Sequence, residues 1–241
     1  FHLTHDRGIL RALSLARAGM MKQILMFLSV LLPWELRRSL LEKQFGYSIH
    51  PSSRLGFCWI FPRHLIMEEN SRIGHFTLCK NIDLLHLGAH AVVGQLNWIT
   101  GFPSGSSRHF AHQTDRHPEL IIERHAGISS RHLLDCTARI RIGAFATIGG
   151  FRSQLITHSI DFATSRQSAE PIDIGEYCFT GTNSVMLGGS SLPHHSVLGA
   201  QSLLNKKWDA PYHLYGGVPA KPLKELSQEL EYFRRTEGFV W

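Results

Sequence analysis

Between Ile174 and Leu204 an aliphatic side chain, or once a threonine, returns at every sixth position: Ile174, Thr180, Met186, Leu192, Leu198 and Leu204. Glycine often follows directly, at Gly175, Gly181 and Gly199, and a small residue sits four places after each start, at Cys178, Ser184, Ser190, Ser196 and Ser202. Neither the helical nor the ordinary strand period produces this beat. A solenoid of short flat faces does: one strand per repeat, one inward side chain per strand, small residues where the chain turns a corner. Three repeats make one triangular coil, so Ile174 is expected beneath Leu192, Thr180 beneath Leu198 and Met186 beneath Leu204.

The beat weakens toward the N-terminus but persists. Ile73, Leu87 and Val93 are repeat starts followed by glycine, and Phe57, Trp59 and Phe61 suggest an early, irregular coil. Ile122, Ile128, Leu134 and Ile140 keep the six-step, and a two-residue shift resets it to Ile142 and Ile148. Two stretches break it. Residues 101–118 are turn-rich and lack the aliphatic beat, and residues 151–171 are polar, so both read as loops leaving the solenoid. The predicted organisation is an N-terminal amphipathic helical segment over 1–50, a β-solenoid over 51–207, and a tail over 208–241 that ends in a short capping helix, roughly Leu223 to Thr236.

In the N-terminal segment Ile9, Leu10, Leu13, Ala16, Met20, Ile24, Phe27, Leu28 and Leu31 recur at helical steps over 6–32, flanked by Arg7, Arg11, Arg17 and Lys22. Pro33 ends this helix or opens a second through Trp34, Leu36, Leu40 and Leu41, with Gly46 as its stop. Capping of the solenoid end and in-plane contact with a membrane both remain open. The chain's net charge of +6 is concentrated here: residues 1–54 hold eight Lys/Arg against three Asp/Glu. A solvated helix face and a surface facing anionic lipid both account for it. The longest apolar run, Ile24 to Trp34, is too short to span a bilayer, which takes roughly 20 residues. No recognition module or aromatic-interleaved basic run points to nucleic acid. Cys58, Cys79, Cys136 and Cys178 are widely spaced without a C-x-x-C pair, so reduced core thiols in a cytoplasmic setting are expected.

Sixteen histidines make any one of them a weak candidate by position alone. His158, in Thr157-His158-Ser159-Ile160-Asp161, lies on a segment leaving a rigid stack, where reactive groups are commonly presented, and an imidazole accepts a proton near neutral pH. Asp161 could orient that ring or contact an acceptor, and equally could cap its loop. His132, Asp135 and Arg152 are outward candidates for acceptor binding. His112 and His117, five apart, raise zinc as a rival, with His75, His86 and His90 upstream.

The six-step repeat together with Pro171-Ile172-Asp173-Ile174-Gly175 resembles the hexapeptide-repeat acyltransferases, of the type that acetylates sugars and polysaccharides. The match is strongest from Ile142 to Lys224, is weaker from Ile73 to Ile140, and excludes residues 1–50. The resemblance implies a left-handed parallel β-helix, a homotrimer, and acetyl-CoA as donor, bound in the groove between neighbouring solenoids. A histidine just before the Pro-Ile-x-Ile-Gly restart is the general base in the sugar-modifying members, which carries that role to His158. The family's Gly-Ala-Gly-Ser-Val-Val-Thr-Lys matches Gly199-Ala-Gln-Ser-Leu-Leu-Asn205-Lys206, with exchanges at Gln201 and Asn205. Its Gly-Asn/Val-Pro-Ala-Lys matches Gly217-Val218-Pro219-Ala220-Lys221, with Lys224 where a basic residue near the nucleotide is usual. Gly181, Thr182, Gly199, Ala200, Asn205, Lys206, Gly217, Pro219, Lys221 and Lys224 are thus expected to contact acetyl-CoA, no metal is expected, and the acceptor is a sugar or lipid-linked glycan hydroxyl. N-acetyl transfer to an amino sugar, a zinc-dependent carbonic-anhydrase-like β-helix and a non-catalytic scaffold are the alternatives.

Overall fold

The computed structural model describes residues 21, 24–105 and 109–240. Most of the helical stripe expected over 6–32, from Ile9 to Met20 with Arg7, Arg11, Arg17 and Lys22, lies outside the described residues. From residue 51 onward the chain winds as the repeat predicts, and the winding already begins at Ser48. Coils at 48–61, 64–80, 84–100, 119–135, 140–156, 172–187 and 191–204 stack into a three-faced, left-handed parallel β-helix. The first face runs from Ser48–Ile49 through His64–Met67 and Glu119–Ile122 to Ser191–Leu192. The second runs from Arg54–Leu55 to Val197–Leu198, and the third from Trp59–Phe61 to Leu203–Leu204. Phe57, Trp59 and Phe61 belong to a regular first coil rather than an irregular one.

The expected stacking holds: Ile174 pairs with Leu192, Thr180 with Leu198 and Met186 with Leu204. Extended downward, the first line reads Ile49, Met67, Leu87, Ile122, Ile142, Ile174, Leu192, every member buried. These columns of aliphatic side chains fill the prism, and their removal from water is the main favourable term for a fold with few helices. The small residues four places after each start face the same interior. Ser184 Oγ donates to Gly181 O (3.0 Å) and Ser190 Oγ to Leu187 O (2.6 Å), so the hydroxyls satisfy corner carbonyls that no ladder reaches.

Corners stack backbone on backbone, and this explains their glycines. A Cβ on Gly175 would lie 2.4 Å from His194 N, and one on Gly181 2.5 Å from Ala200 N. Most corners also contain a non-glycine residue in the left-handed region, such as Phe76 (φ 57°), Leu96 (58°) and Arg131 (64°). At the corner between first and second faces these residues form a stacked column: His90, His125, Phe145, Tyr177, His195 and Tyr212, with ring centroids 4.7–4.9 Å apart.

Both ends are closed. The helix Trp34–Phe45 ends at Gly46 (φ 69°), whose N–H donates to Glu42 O. It lays Leu41 on the first coil, and the buried Arg37 guanidinium donates to Gly56 O (2.7 Å) and Cys58 O (2.6 Å). Those carbonyls have no coil beneath them, so this helix is a cap. At the other end His213–Gly217 extends the second face and pairs antiparallel with Ala220–Glu225. The helix expected from Leu223 to Thr236 does not form. Leu223, Leu226, Leu230 and Phe233 recur at helical steps, but pairing of 220–225 with its neighbour strand takes the first of them out of any helix; only a 3-10 turn, Glu231–Phe233, follows. Within that turn Tyr232 Oη donates to Cys178 O (3.1 Å), and beyond it Gly238 N donates to His125 Nδ1 (3.2 Å), so the tail runs back down the stacked column.

The corner argument gives a contrast. Gly175→Ala should destabilise by about 1–3 kcal/mol, because backbone and not a flexible side chain must move. Gly199→Ala, whose Cβ would sit 3.5 Å from its nearest neighbour, should stay within about 0.5 kcal/mol. Urea unfolding of the two variants measures the difference.

Candidate active site

Both excursions leave the solenoid at the same corner, from third face to first, on coils that are not adjacent. Residues 101–118 follow Trp98–Thr100, and a hairpin, His158–Asp161 with Arg166–Ala169, follows Gln154–Ile156. The second loop is therefore shorter than the expected 151–171, because 154–156 is still coil. Between the two excursions lies one coil whose corner is plain, Asp135 to Ile140. Loop and hairpin fold over it from either side. Gln113 clamps them: its Nε2 donates to Ala169 O (3.3 Å) and its Oε1 accepts from Ala169 N (2.9 Å). Phe110, Ala138 and Ala169 pack as a small apolar cluster with Phe102 against it. Arg116 ties the loop to itself and to the corner beneath it, donating to Phe102 O (2.5 Å) and Pro103 O (3.1 Å) on the loop and to Thr137 O (2.5 Å) on the corner. Burial lowers the pKa of its guanidinium, with Asp83 and Asp135 opposing.

His158 emerges at the root of the hairpin, half-buried, edge-on to Phe102 (5.9 Å) and Phe110 (6.3 Å). Its Nδ1 pairs with Asp135 Oδ2. Asp135 is 6% exposed, and its other oxygen accepts from Thr137 N (3.0 Å) and Thr137 Oγ1 (2.5 Å). Thr157 Oγ1, next to His158, donates to Asp135 O (2.7 Å) and accepts from Ala138 N (2.9 Å). Asp135 is thus fixed by its own turn and cannot swing away from the ring. With Nδ1–H directed at a carboxylate, the lone pair resides on Nε2, the arrangement a proton acceptor needs.

This geometry bears on four of the expected site residues. Asp135, on the outside of the prism, is covered and meets the His158 imidazole rather than solvent. Of the two readings of Asp161, the geometry matches the loop cap: its carboxylate accepts from Ala163 N (2.9 Å) and Thr164 Oγ1 (2.7 Å) in the hairpin turn, bonds that hold it below its ordinary pKa. His132 is 2% exposed and out of an acceptor's reach. Ser153 N donates to its Nδ1 (3.1 Å), so Nε2 carries the hydrogen and donates to Ser129 Oγ (2.8 Å), which passes the chain on to Gly150 O (2.6 Å). Burial pushes its pKa down to about 4. Arg152 is exposed at the far corner of the third face, across that face from His158. No cysteine is an alternative nucleophile here; burial pushes Cys178 up to about 12, and all four thiols are free and buried.

The residues expected to contact the donor fall in three places. Asn205 and Lys206 sit on the His158 corner two coils higher, with Gly188 and Gly189 on the coil between. Gly181, Thr182, Gly199 and Ala200 line the opposite edge of the third face. Gly181 is accounted for by stacking, whereas Gly199 leaves room. Gly217, Pro219, Lys221 and Lys224 are exposed on the terminal hairpin. His112 and His117 are exposed on the first loop, and among the described residues no three His, Cys, Asp or Glu side chains converge as a metal-holding group. Phe102, Phe110 and Thr137 escaped sequence reasoning; only Asp135-Cys136-Thr137, an Asx-turn pattern, carried a signal.

The buried neutral His132 has a measurable consequence. Between about pH 6.5 and 4 the unfolded chain binds a proton that the folded chain refuses, so stability falls as pH is lowered through that window. This one group should account for about 2 kcal/mol between pH 7.5 and 5. Urea unfolding of His132→Asn should show a correspondingly smaller loss over the same interval.

No family model matches the chain. A chloramphenicol acetyltransferase of Klebsiella aerogenes is 26% identical over 131 residues, 44% of this chain; the chain spans 62% of that relative's length. Among solved structures, a point mutant of AntD, an N-acyltransferase of Bacillus cereus in complex with dTDP and coenzyme A, superimposes with a TM-score of 0.52 at 14% identity. The match covers 78% of this chain and 89% of that one. A hexapeptide-repeat acetyltransferase of Vibrio cholerae complexed with acetyl coenzyme A matches over 88% of both chains at 20% identity and a TM-score of 0.44. The chain has the fold of the hexapeptide-repeat, left-handed β-helix acyltransferases.

Proposed function

We propose that the protein transfers an acetyl group from acetyl-CoA to a hydroxyl of a sugar or polysaccharide intermediate, with His158 as general base. The observation that carries this is the Asp135–His158 pair, an imidazole fixed by a self-anchored carboxylate at the mouth formed by two converging excursions. Acetyl-CoA supplies the acyl group already activated as a thioester. His158 Nε2 takes the proton of the acceptor hydroxyl as its oxygen forms the new C–O bond. As the C–S bond breaks, the same nitrogen returns the proton to the departing sulfur. Asp135 stabilises the imidazolium formed in between. No residue forms a covalent intermediate in this scheme, in keeping with the buried thiols.

The donor's place is consistent with the residues present. Small side chains at Gly199 and Ala200 leave a thin pantetheine chain access to backbone amides, and Lys206, Lys221 and Lys224 can approach phosphates. A homotrimer with the donor in the groove between solenoids is part of the proposal. So is work on the cytoplasmic side of a membrane, with residues 1–45 beside the bilayer and a lipid-linked glycan as acceptor. Among the described residues no helix is long and apolar enough to cross a membrane. AntD, one of the fold neighbours, is an N-acyltransferase, so amino sugars belong in the acceptor panel beside hydroxyl acceptors.

CoA release from acetyl-CoA against such a panel tests the reading. His158→Ala should lower kcat on the order of 10²–10⁴-fold with the KM for acetyl-CoA little changed. Asp135→Asn should lower kcat on the order of 10²-fold or more, through loss of the ring's tautomer control. Undiminished turnover in His158→Ala would remove the imidazole from the chemistry.

A further inference from the structure

One peptide unit, joining Thr137 to Ala138 on the corner that the two excursions cover, is held at both ends. Its N–H, from Ala138, donates to Thr157 Oγ1 (2.9 Å), next to His158 in the chain, and the same hydroxyl donates to Asp135 O (2.7 Å). Its carbonyl, Thr137 O, accepts from Arg116 Nη1 (2.5 Å). Thr137 also supplies the N–H and the hydroxyl that hold Asp135 Oδ1. The carboxylate and the backbone at the root of the imidazole therefore both take their positions from this peptide, and the first loop grips it through Arg116.

A guanidinium suits that grip. Its two terminal nitrogens meet three carbonyls on two parts of the chain: Thr137 O on the corner, Phe102 O and Pro103 O on the loop. A planar fork holds several fixed acceptors at once, which an ammonium on a flexible stem does not. The group also lies over the Phe110 ring (4.6 Å), which presents its edge to His158 (6.3 Å), as Phe102 does (5.9 Å). Arg116 thus reaches the turn that holds the carboxylate and both aromatic residues beside the imidazole. The arrangement is costly. Arg116 is partly buried, and its Nε–H is buried without an acceptor among the described residues, which is unfavourable. Tying down a loop does not demand a cation. Gln113, neutral and three residues earlier, joins the same loop to the hairpin through Ala169 with both of its amide atoms bonded.

We propose that Arg116 is a positioning residue for proton transfer: through the Thr137–Ala138 peptide it holds Asp135 and the root of His158 in fixed relation, so the loop 101–118 aligns the pair as well as covering it. Its kinetic consequence rests on the acyl-transfer reading; its effect on the imidazole tautomer does not. Loosening the grip frees Asp135 to leave Nδ1. The imidazole can then carry its proton on Nε2, where it cannot accept another.

Arg116→Lys keeps the charge and removes the fork. Arg63→Ala is its control, because Arg63 steadies the base of the same loop through Ser104 Oγ (3.3 Å) and Asp83 (3.2 Å) and makes no bond to Thr137. With acetyl-CoA and the acceptor panel, Arg116→Lys should lower kcat on the order of 10–10²-fold, with the KM for acetyl-CoA little changed. Arg63→Ala should stay near the parent in both. Nitrogen NMR of isotope-labelled histidines reads the tautomer directly, the His158 signals being assigned by their absence from His158→Ala. The parent and Arg63→Ala should hold the proton on Nδ1, and Arg116→Lys should shift toward the Nε2–H form that free imidazole side chains favour. In Arg116→Ala, added ethylguanidinium should restore the parent's tautomer and turnover, and ethylammonium should not. An unchanged tautomer in Arg116→Lys, equal losses in Arg116→Lys and Arg63→Ala, or failure of Arg116→Lys to fold by circular dichroism would overturn the inference. Should the parent turn over no acceptor, the acyl-transfer reading falls, and the tautomer of Arg116→Lys alone decides the role of Arg116.

Discussion

Everything in this molecule depends on one constraint: each corner of the solenoid sits directly on the corner below it, backbone against backbone. Strands in adjacent coils are held about 4.8 Å apart by their ladder, so a corner has no room to wander. Side chains that point at the next coil's backbone must be absent, which fixes Gly143, Gly175 and Gly181. Extra chain cannot be absorbed inside a face, because a single inserted residue would turn the inward aliphatic column outward. It can only be thrown out at a corner. The two excursions of this protein obey that rule, and because they leave from the same corner two coils apart, they converge over the corner between. The site is a consequence of where the solenoid permits insertions.

The same constraint sets a conformational cost that side chains then offset. A non-glycine residue in the left-handed region costs roughly 1–2 kcal/mol. At the corner between first and second faces these residues are aromatic rings or imidazoles, stacked at 4.7–4.9 Å from His90 to Tyr212. An aromatic pair of this geometry contributes about 0.5–1.5 kcal/mol beyond its buried area, so the stack is of the right size to offset the corner's strain. It also gives the tail a template: Arg235 lies over Tyr232 (3.8 Å) and near Tyr177 (5.4 Å), tying the end of the chain to the middle of the column.

The winding is legible in the sequence because the repeat reports a periodic demand. Ile174, Thr180 and Met186 name their partners one coil above without any structural knowledge, and Gly46 announces the end of the capping helix. What escapes is what the period does not report. Alternation along the strand puts Leu134 inside and Asp135 outside, and that is correct for the prism. Asp135 is nonetheless buried, by a loop that leaves the coil below and a hairpin that leaves the coil above, and nothing local encodes such a cover. Asp161 is the plausible partner of His158 by proximity in sequence. Residues three apart on a strand face opposite sides, so it is not placed to reach the ring. The Leu223–Thr236 segment suggests helix because charged residues tolerate one, but a strand partner at His213–Gly217 decides its conformation.

That the candidate dyad spans two coils has a further meaning. Asp135 belongs to the coil 119–135, anchored there by Thr137, while His158 belongs to the excursion above it. Their distance is therefore set by the ladder between Leu133–Asp135 and Gln154–Ile156, in which Asp135 pairs with Ile156. The ring's heading is set separately, by Gln113 on Ala169 and by the edges of Phe102 and Phe110. A rigid element fixes separation and a loop fixes orientation. The aromatic edges against the ring also keep water from one side of it, which strengthens the pairing of Nδ1 with the carboxylate. The open side is Nε2's. In this arrangement the solenoid does not merely carry the candidate site; its register sets the separation of the two side chains.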